Sequence, residues 1–479
     1  MSITKVSYSM ITGTPLNVLD VGVIGDGVAD DTVAIQTALD SGVKSIFFPP
    51  GTYKVTGQIH IPDIDELTIF GAGKSSQIYF DANGLSGSTE IYLGNKKASG
   101  TYTTSNIFIK DIWLKGHYVT NNTPPGGGVS FGVKFENTVE NLDITNCYFS
   151  NFSSYSCQVL DGSGVNISNN SFFRGYRAAI ALGSANTNWV RQFVVADNIL
   201  SEFVNTTVDA DGVLLAGAEY GSVTGNTVYF VGSTGIKLGV ANYTAVTGNK
   251  IRKVVDGIKI QNGGNFNSVV GNNVNQCRSG VAALSNNSNI QTNHLHIADN
   301  VIEDCTAATN WIVTEFGAPD PGSNYGVYID GGATDTFNYL AVVNNQISNA
   351  QRGVSLANAL YNYAFLSGNQ ARDGVVLGYT YTDTAVAGSI IFQADQLAGS
   401  RDFPFSNNRW ISSLLLGGVS DSATNRRTLT TASAIPTTGT WAQGDVVFNT
   451  APAAGGTPGW VCVTSGTPGT WKAMANIAA

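Results

Sequence analysis

Residues 224–228 read TGNTV, residues 247–251 read TGNKI and residues 270–274 read VGNNV, so an Asn followed two residues later by an apolar residue returns every 23 residues. The same phrase, at nearly the same spacing, surrounds Asn146, Asn170, Asn198, Asn300, Asn345 and Asn369. A second phrase, in which a Gly precedes alternating apolar residues, begins at Gly212, Gly235, Gly257, Gly280, Gly326, Gly353 and Gly374. A period in the twenties is typical of stacked units that bury their apolar faces against each other. Short alternating strands without helical periodicity then predict an all-β fold, a right-handed parallel β-helix.

The composition excludes several classes of function. The net charge is −9, and no cluster of Lys and Arg is present to neutralise phosphates, which argues against a nucleic-acid partner. No apolar run reaches membrane-spanning length, and the first ten residues lack the pattern of a signal peptide, so we expect no membrane insertion. The five Cys are odd in number and scattered, which indicates reduced, buried thiols. We expect no metal and no cofactor.

The pattern changes along the chain and predicts five segments. An amphipathic helix that starts after Asp30 or Asp31 and ends near Asp40 caps the first coil, with Val33, Ala34, Ala38 and Leu39 on its apolar side. The segments are a lead-in at 1–19, the capping helix and first strand at 20–53, the β-helix at 54–384, a connecting segment at 385–430, and a C-terminal β module at 431–479.

Two insertions predict a groove on the outside of the solenoid. The distance from the repeated Asn to the following Gly is 8 or 9 residues in the compact coils, but 14 after Asn198 and 26 after Asn300. Both insertions occur at the same turn of the coil, so both project from one edge. Four rungs of about 4.8 Å separate them by about 19 Å, which suits a chain-like ligand.

Carboxylates near this groove are candidates for acid and base catalysis. Asp209 and Asp211 end the first insertion, and Asp256 repeats the position of Asp211 two rungs later. The rung spacing places the last two about 9.6 Å apart, near the separation found in inverting glycosidases. Glu315 lies beside Trp311 in the second insertion, where apolar neighbours favour a neutral acid. The alternative is that these acids serve as turn residues before Gly.

Outward side chains on the groove floor are candidates for substrate binding. The residue two after each Gly faces away from the core, which selects Lys237, Lys259 and Tyr328, and Trp311 joins them from the second insertion. Lys237 and Lys259 occupy adjacent rungs and could hold the carboxylate of an acidic sugar. The alternative is that both are solvated and pair with nearby acids such as Asp256.

Two longer motifs resemble a known family. GDGVADDTVAIQTALDSG at 25–42 and FFPPGTYKV at 47–55 resemble the opening motif of the pectate-lyase-like superfamily, in the form found in bacteriophage tailspike proteins. GDVVFNTAPAAGGTPGWVCVTSGTPGTWK at 444–472 is similar to the C-terminal segments of many tailspikes. The resemblance implies a homotrimer attached to the virion through a phage tail or baseplate protein. Such a protein is made in the host cytoplasm and depolymerises bacterial capsular polysaccharide at the cell surface.

Three functions remain open on the sequence. The first is a glycoside hydrolase that uses the carboxylates named above, and we favour it because acids gather at the groove. The second is a polysaccharide lyase in which Lys237, Lys259 or Arg177 neutralises a uronate. The third is a spike that binds glycan without cleaving it.

Overall fold

Parallel strands of the N-terminal part of the chain stack into a three-sided solenoid. The computed structural model describes residues 14–87, 89–95, 104–118, 128–184, 188–203, 210–284, 291–305, 324–331, 335–357, 359–372, 375, 377–382, 389–393, 396–397 and 429–478. Two compact units are present, residues 1–403 and 404–479. The fold is a right-handed parallel β-helix, as the repeats predict.

We number the three faces of the solenoid in the order in which the chain crosses them. Sheet 1 consists of Ile59–His60, Glu90–Asn95, Val129–Phe135, Cys157–Val159, Ile180–Leu182, Val213–Leu215, Thr234–Leu238, Asp256–Gln261, Ser279–Leu284, Tyr325–Asp330, Arg352–Ala357 and Leu377–Thr382. Sheet 2 contains Leu16–Asn17, Ser45–Phe48, Val139–Thr145, Gly162–Ser168, Val190–Ala196, Ala218–Thr224, Ala241–Thr247, Gly264–Asn265, Ser268–Val270, Gln291–Ala298, Thr336–Val343, Leu360–Tyr361, Tyr363–Ser367 and Ser389–Gln393.

Sheet 3 follows sheet 2 after a tight turn in each coil. It contains Asp26–Asp30, Gly51–Val55, Tyr148–Phe152, Ser171–Gly175, Ile199–Phe203, Thr227–Val231, Lys250–Arg252, Asn273–Asn275, Val301–Cys305, Gln346–Ala350, Gln370–Arg372 and Gln396–Leu397. Two long strands, Asp65–Phe80 and Thr104–Lys115, run through sheets 2 and 3 without a break.

A column of buried asparagines fills the turn between sheets 2 and 3. Asn249 illustrates the arrangement: its backbone N–H and its Nδ2 both donate to Oδ1 of Asn272, at 3.0 and 2.9 Å, and Nδ2 also donates to the Val223 carbonyl. The same bonds recur from Asn170 to Asn369, and these side chains are buried. The repeated Asn phrase of the sequence therefore marks a hydrogen-bonded asparagine ladder.

One asparagine of the repeated sequence phrase, Asn146, does not belong to the ladder. Pairing of Tyr148 with Ser171 puts Cys147, and not Asn146, opposite Asn170. The Cys147 N–H accordingly donates to Oδ1 of Asn170. Asn146 instead occupies the preceding turn position, which has a positive φ in the coils from Asp111 to Gly368 and is filled there by Asn, Asp or Gly.

Close contact between successive coils explains the glycine phrase of sheet 1. A Cβ on Gly257 would come within 2.4 Å of both the Gly280 carbonyl oxygen and a Val274 methyl group. The residues one and three after each Gly, such as Ile258 and Ile260, point into the core as the alternation predicts. Only a residue without a side chain allows the turn and the core to pack this tightly.

The capping helix Thr32–Asp40 follows a short 3₁₀ turn, Val18–Val21, with two details that differ from expectation. Its buried face consists of Ile35, Ala38 and Leu39, whereas Val33 is exposed. Oδ1 of Asp30 accepts the Thr32 N–H, while the buried Asp31 carboxylate accepts the N–H groups of Ile24 and Gly25. Asp31 therefore closes the preceding loop and not the helix.

The loss of the sequence period predicts that the solenoid ends at residue 384, but its strands continue beyond this position. Ser389–Gln393 pairs in parallel with Tyr363–Ser367, and Gln396–Leu397 pairs with Gln370–Arg372. In the second unit, Leu429–Ala432, Val446–Asn449, Gly459–Thr464 and Thr470–Ala473 form a small sheet around Val447, Trp460, Cys462 and Trp471.

We predict that the asparagine ladder contributes strongly to stability. Asn272→Ala removes the acceptor of two Asn249 donors and leaves the Val246 carbonyl without its Nδ2 bond, at about 1–3 kcal/mol per orphaned group. Asn273→Ala changes the adjacent, exposed asparagine and is the matched control, expected within about 0.5 kcal/mol. Urea unfolding midpoints measure both, and equal shifts would contradict a dominant role for the ladder.

Candidate functional site

The outer face of sheet 1 carries the described candidate residues in two columns. Register pairing runs from Leu214 through Lys237, Lys259 and Ala282 to Tyr328 in one column. Asp211, Thr234, Asp256, Ser279 and Tyr325 form the neighbouring column, so two rungs separate the two aspartates. Asp209, Trp311 and Glu315 lie outside the described residues, as do both insertions apart from their ends.

This face is more enclosed than expected for a groove floor. Lys237 is 9% exposed, and Ala282 and Ser355, which occupy the same column, are buried. Asp211 and Asp256 are 0% and 2% exposed, whereas the sequence suggested acids at an open groove edge. The alternating pattern correctly predicted that these side chains point away from the core. It carries no information about which residues cover the outer face of sheet 1.

Asp256 is held by an ion pair that the sequence did not reveal. Arg278 donates from Nη2 to both carboxylate oxygens of Asp256, at 2.7 and 2.6 Å, and from Nε at 3.1 Å. The Lys259 ammonium lies 3.8 Å from the same carboxylate. Such fork-shaped contacts fix the carboxylate in one orientation and stabilise its negative charge.

Asp211 occupies the equivalent position in a different polar setting. Its Oδ1 accepts the Thr234 N–H at 3.0 Å, and its Oδ2 lies 3.9 Å from the Lys237 ammonium. Each of the two adjacent lysines therefore has an aspartate within 4 Å, but Lys259 shares Asp256 with Arg278. The two carboxylates reduce the like-charge repulsion between the lysines without neutralising all three cations.

Tyr328 is only partly available to a ligand. Its ring stacks on Tyr325 with centroids 4.0 Å apart, and its hydroxyl donates to Oδ2 of Asp330 at 2.5 Å. Burial, and then the Asp330 carboxylate, raise the pKa of the Tyr328 hydroxyl, which keeps it a hydrogen-bond donor. One ring face is covered by Tyr325, so at most the other is left for stacking on a sugar.

A second ionic cluster lies farther toward the N-terminus on the same sheet. Lys134, which is buried, contacts Glu90 Oε2 at 2.5 Å and Glu136 Oε1 at 2.6 Å. The buried Tyr92 hydroxyl has no hydrogen-bond partner among the described residues, and burial followed by the charges of Glu136 and Glu90 raises its pKa. One cation therefore holds both glutamates together through direct ion pairs.

A sequence signal for this cluster was present but was not used. Residues 131–135 read FGVKF, which repeats the Gly-apolar-Lys-apolar phrase of Gly235 and Gly257. Arg278 carried no such signal, because it lies in the turn before the next sheet 1 strand. Among the described residues, no three His, Cys, Asp or Glu side chains converge on a possible metal position.

Two family models match overlapping parts of the chain. Residues 16–212 match the family model described as Rhamnogalacturonase A/epimerase, pectate lyase-like, and residues 115–331 match that of the periplasmic copper-binding protein NosD. The resemblance to the pectate-lyase-like superfamily is thereby confirmed over residues 16–212, which are less than half of the chain.

Two curated proteins and one solved structure are similar to parts of the chain. Mannuronan C5-epimerase AlgE6 of Azotobacter vinelandii is 33% identical over 110 residues, which are 21% of this chain and 12% of that protein. The preneck appendage protein of Bacillus phage PZA is 32% identical over 139 residues, 28% of this chain and 15% of that protein. The chain thus spans less than a sixth of the length of either relative.

The solved structure is PfbA, a surface adhesin of Streptococcus pneumoniae, with a TM-score of 0.53 and 12% identity. The alignment covers 97% of this chain and all of that one, and it supports the fold. No helix within the described ranges has the length and apolar character needed to cross a membrane.

We predict that the Asp256–Arg278 pair stabilises the fold. Asp256→Asn leaves a partly buried guanidinium without its counter-ion, which should cost about 1–3 kcal/mol, somewhat less than for a fully buried pair. The control is Glu219→Gln, which breaks the more exposed Arg191–Glu219 pair of sheet 2 and should cost at most about 1 kcal/mol. Thermal unfolding compares the two. Unchanged stability in Asp256→Asn, together with lost activity, would instead indicate a catalytic role.

Proposed function

We propose that this protein is a phage tail-associated spike that binds and depolymerises a bacterial surface polysaccharide. The observation that carries the proposal is the charged outer face of sheet 1, where lysines on adjacent rungs and aspartates two rungs apart lie on the coils between the two insertions. A row with the period of the solenoid suits a chain-like, acidic ligand. The names of the family model and of the epimerase relative both refer to polysaccharides, and the appendage relative supports a phage tail location.

Hydrolysis of glycosidic bonds remains the favoured reaction within this proposal. Asp211, with Asp209 from the adjacent insertion, is the first candidate pair, and Asp256 and Glu315 are further candidates. The Asp256–Arg278 contact suits a positioning role better than proton transfer, because both carboxylate oxygens already accept from the guanidinium. Lys237, Lys259, Trp311 and Tyr328 are proposed to bind the substrate.

A second candidate function is glycan binding without cleavage. The observation that favours it is that Asp211 and Asp256 are both buried and have basic neighbours, so neither presents a free carboxylate to water. An acid or base catalyst has to reach the reacting group directly or through one water molecule. A lyase, in which the lysines or Arg177 neutralise a uronate, is the alternative for the cleaving enzyme.

Incubation with purified capsule from candidate hosts distinguishes these functions. We expect new reducing ends without the ultraviolet absorbance of an unsaturated uronate, which indicates hydrolysis. Asp211→Asn keeps the acceptor for Thr234 and should fold, yet lower turnover by about 10²-fold or more. Asp143→Asn, on the outer face of sheet 2, is the control. Absorbance would indicate a lyase, and binding without new ends would indicate an adhesin.

We further propose that the protein is a homotrimer. The capping helix covers one end of the solenoid, and association of parallel copies around a threefold axis suits the symmetry of a phage tail. Sedimentation equilibrium should give the mass of three chains. A mass of one chain across the accessible concentration range would exclude this assembly.

A further inference from the structure

Six aromatic rings form one continuous stack on the outside of sheet 2. We call this stack the aromatic ladder, and its rings belong to Tyr220, Tyr243, Phe266, His294, Tyr339 and Tyr363. Neighbouring ring centroids lie 4.3–5.1 Å apart, with interplanar angles of 8–18°. Strand register places the six residues on successive rungs, so the stack follows the solenoid axis.

The ladder is exposed and conformationally costly. Its five Tyr and Phe residues are 44–56% exposed. The first five residues of the ladder have φ between 49° and 59°, the left-handed region that bulky side chains rarely adopt. Earlier rungs fill the same column with Asn106, Asn141, Gly164 and Gln192, which suit that backbone better. Replacing such residues with aromatics over six rungs exposes apolar area without adding to the core.

The surface around the ladder is uncharged. Of the described strands of sheet 2 between Ala218 and Ser367, Glu219 is the one residue of the Asp, Glu, Lys and Arg types, and it pairs with Arg191. The column beside the rings is a second row of amides, Asn242, Asn265, Asn293, Asn338 and Asn362, hydrogen-bonded from rung to rung. Small residues such as Ser222, Ala245 and Ala341 face outward on the other side.

The geometry of the stack identifies the kind of partner. A sugar binds an aromatic residue by lying on the ring face, but in this ladder the faces are covered by neighbouring rings and the edges point to solvent. The exposed ring edges repeat at the rung spacing of about 4.8 Å. A partner that contacts all six of them therefore needs a surface with the same repeat distance. A second copy of this solenoid, running parallel, has that period.

The area is of the right size for association. Six side chains of about 150–250 Å² each, roughly half exposed, offer on the order of 600 Å². That equals the largest apolar patches of ordinary monomers and approaches the roughly 800 Å² that each partner contributes to a stable interface. The flanking amides and small side chains, which carry no charge to desolvate, extend it.

We propose that the aromatic ladder is the surface through which copies of this chain pack against one another. The inference rests on the proposed homotrimer and assigns its contact to the outer face of sheet 2. A rotation axis parallel to the solenoid brings the same column of every copy to the centre of the assembly. Sheet 1 then remains on the outside, accessible to polysaccharide.

The triple variant Tyr243→Asn, Phe266→Asn and Tyr339→Asn tests the proposal. Asn tolerates the backbone of these positions, as Asn106 and Asn141 already show in the same column. Sedimentation equilibrium should change from three chains to one, with unchanged far-ultraviolet circular dichroism. Tyr229→Asn, which removes a 41% exposed tyrosine from sheet 3, is the control and should stay trimeric.

If the triple variant does not fold, a measurement on the wild-type protein still tests the proposal. In the assembled protein, nitration mapped by mass spectrometry should modify Tyr229 at least tenfold faster than Tyr243 or Tyr339. Equal rates, or a folded triple variant that remains a trimer, would overturn the assignment of this face. A monomeric wild-type protein would refute the homotrimer itself, and loss of glycan binding by a trimeric variant would identify a sugar-binding surface instead.

Discussion

The buried asparagine column between sheets 2 and 3 sets the register of the solenoid. Each amide accepts from the previous coil, donates to the next and also donates to a carbonyl near the end of the previous coil's sheet 2 strand, so a shift by one residue would break all of these bonds together. Buried polar groups cost several kcal/mol when unpaired, which makes a fully paired column strongly specific for one alignment. A small shift of register would leave similar Val, Ile and Leu side chains in contact, so the apolar core alone would tolerate it. The amide column would not tolerate it, because its hydrogen bonds would be lost.

Once the coils are in register, every outward side chain lies above an equivalent one about 4.8 Å away. Equivalent side chains of successive coils therefore stack on one another, and the type of side chain decides which interaction results. Amides form a second hydrogen-bonded row at Asn242 and Asn265, and rings stack face to face from Tyr220 to Tyr363. Lysines cannot stack without compensation, which explains why Lys237 and Lys259 each have an aspartate within 4 Å. The same periodicity therefore produces an uncharged surface of rings and amides on sheet 2 and a surface of ion pairs on sheet 1.

The features that repeat could be predicted from the sequence, and those that depend on a single contact could not. The glycine phrase correctly predicted which residues of sheet 1 face the core, because a steric requirement recurs in every coil. The Asn146 assignment failed by one position, since Cys147 fills the ladder position in that coil. Burial of Asp256 and its contact with Arg278 could not be predicted, because they depend on how a turn residue folds over the face of the preceding coil. The aromatic column follows the sequence period but was not predicted, because its members are of three residue types and do not form a repeated phrase.

The two outer faces suit different tasks because a β-helix separates fold from function. Inward residues decide stability, so the outward columns of sheets 1 and 2 can differ without conflict in a single coil. A charge-balanced face keeps its ion pairs in contact with one another until a ligand with its own carboxylates or hydroxyls displaces part of them. Such a face is poorly suited to permanent association, since desolvating ion pairs costs free energy. An uncharged aromatic face has no such cost, which supports the proposals that sheet 2 mediates assembly and that sheet 1 binds polysaccharide.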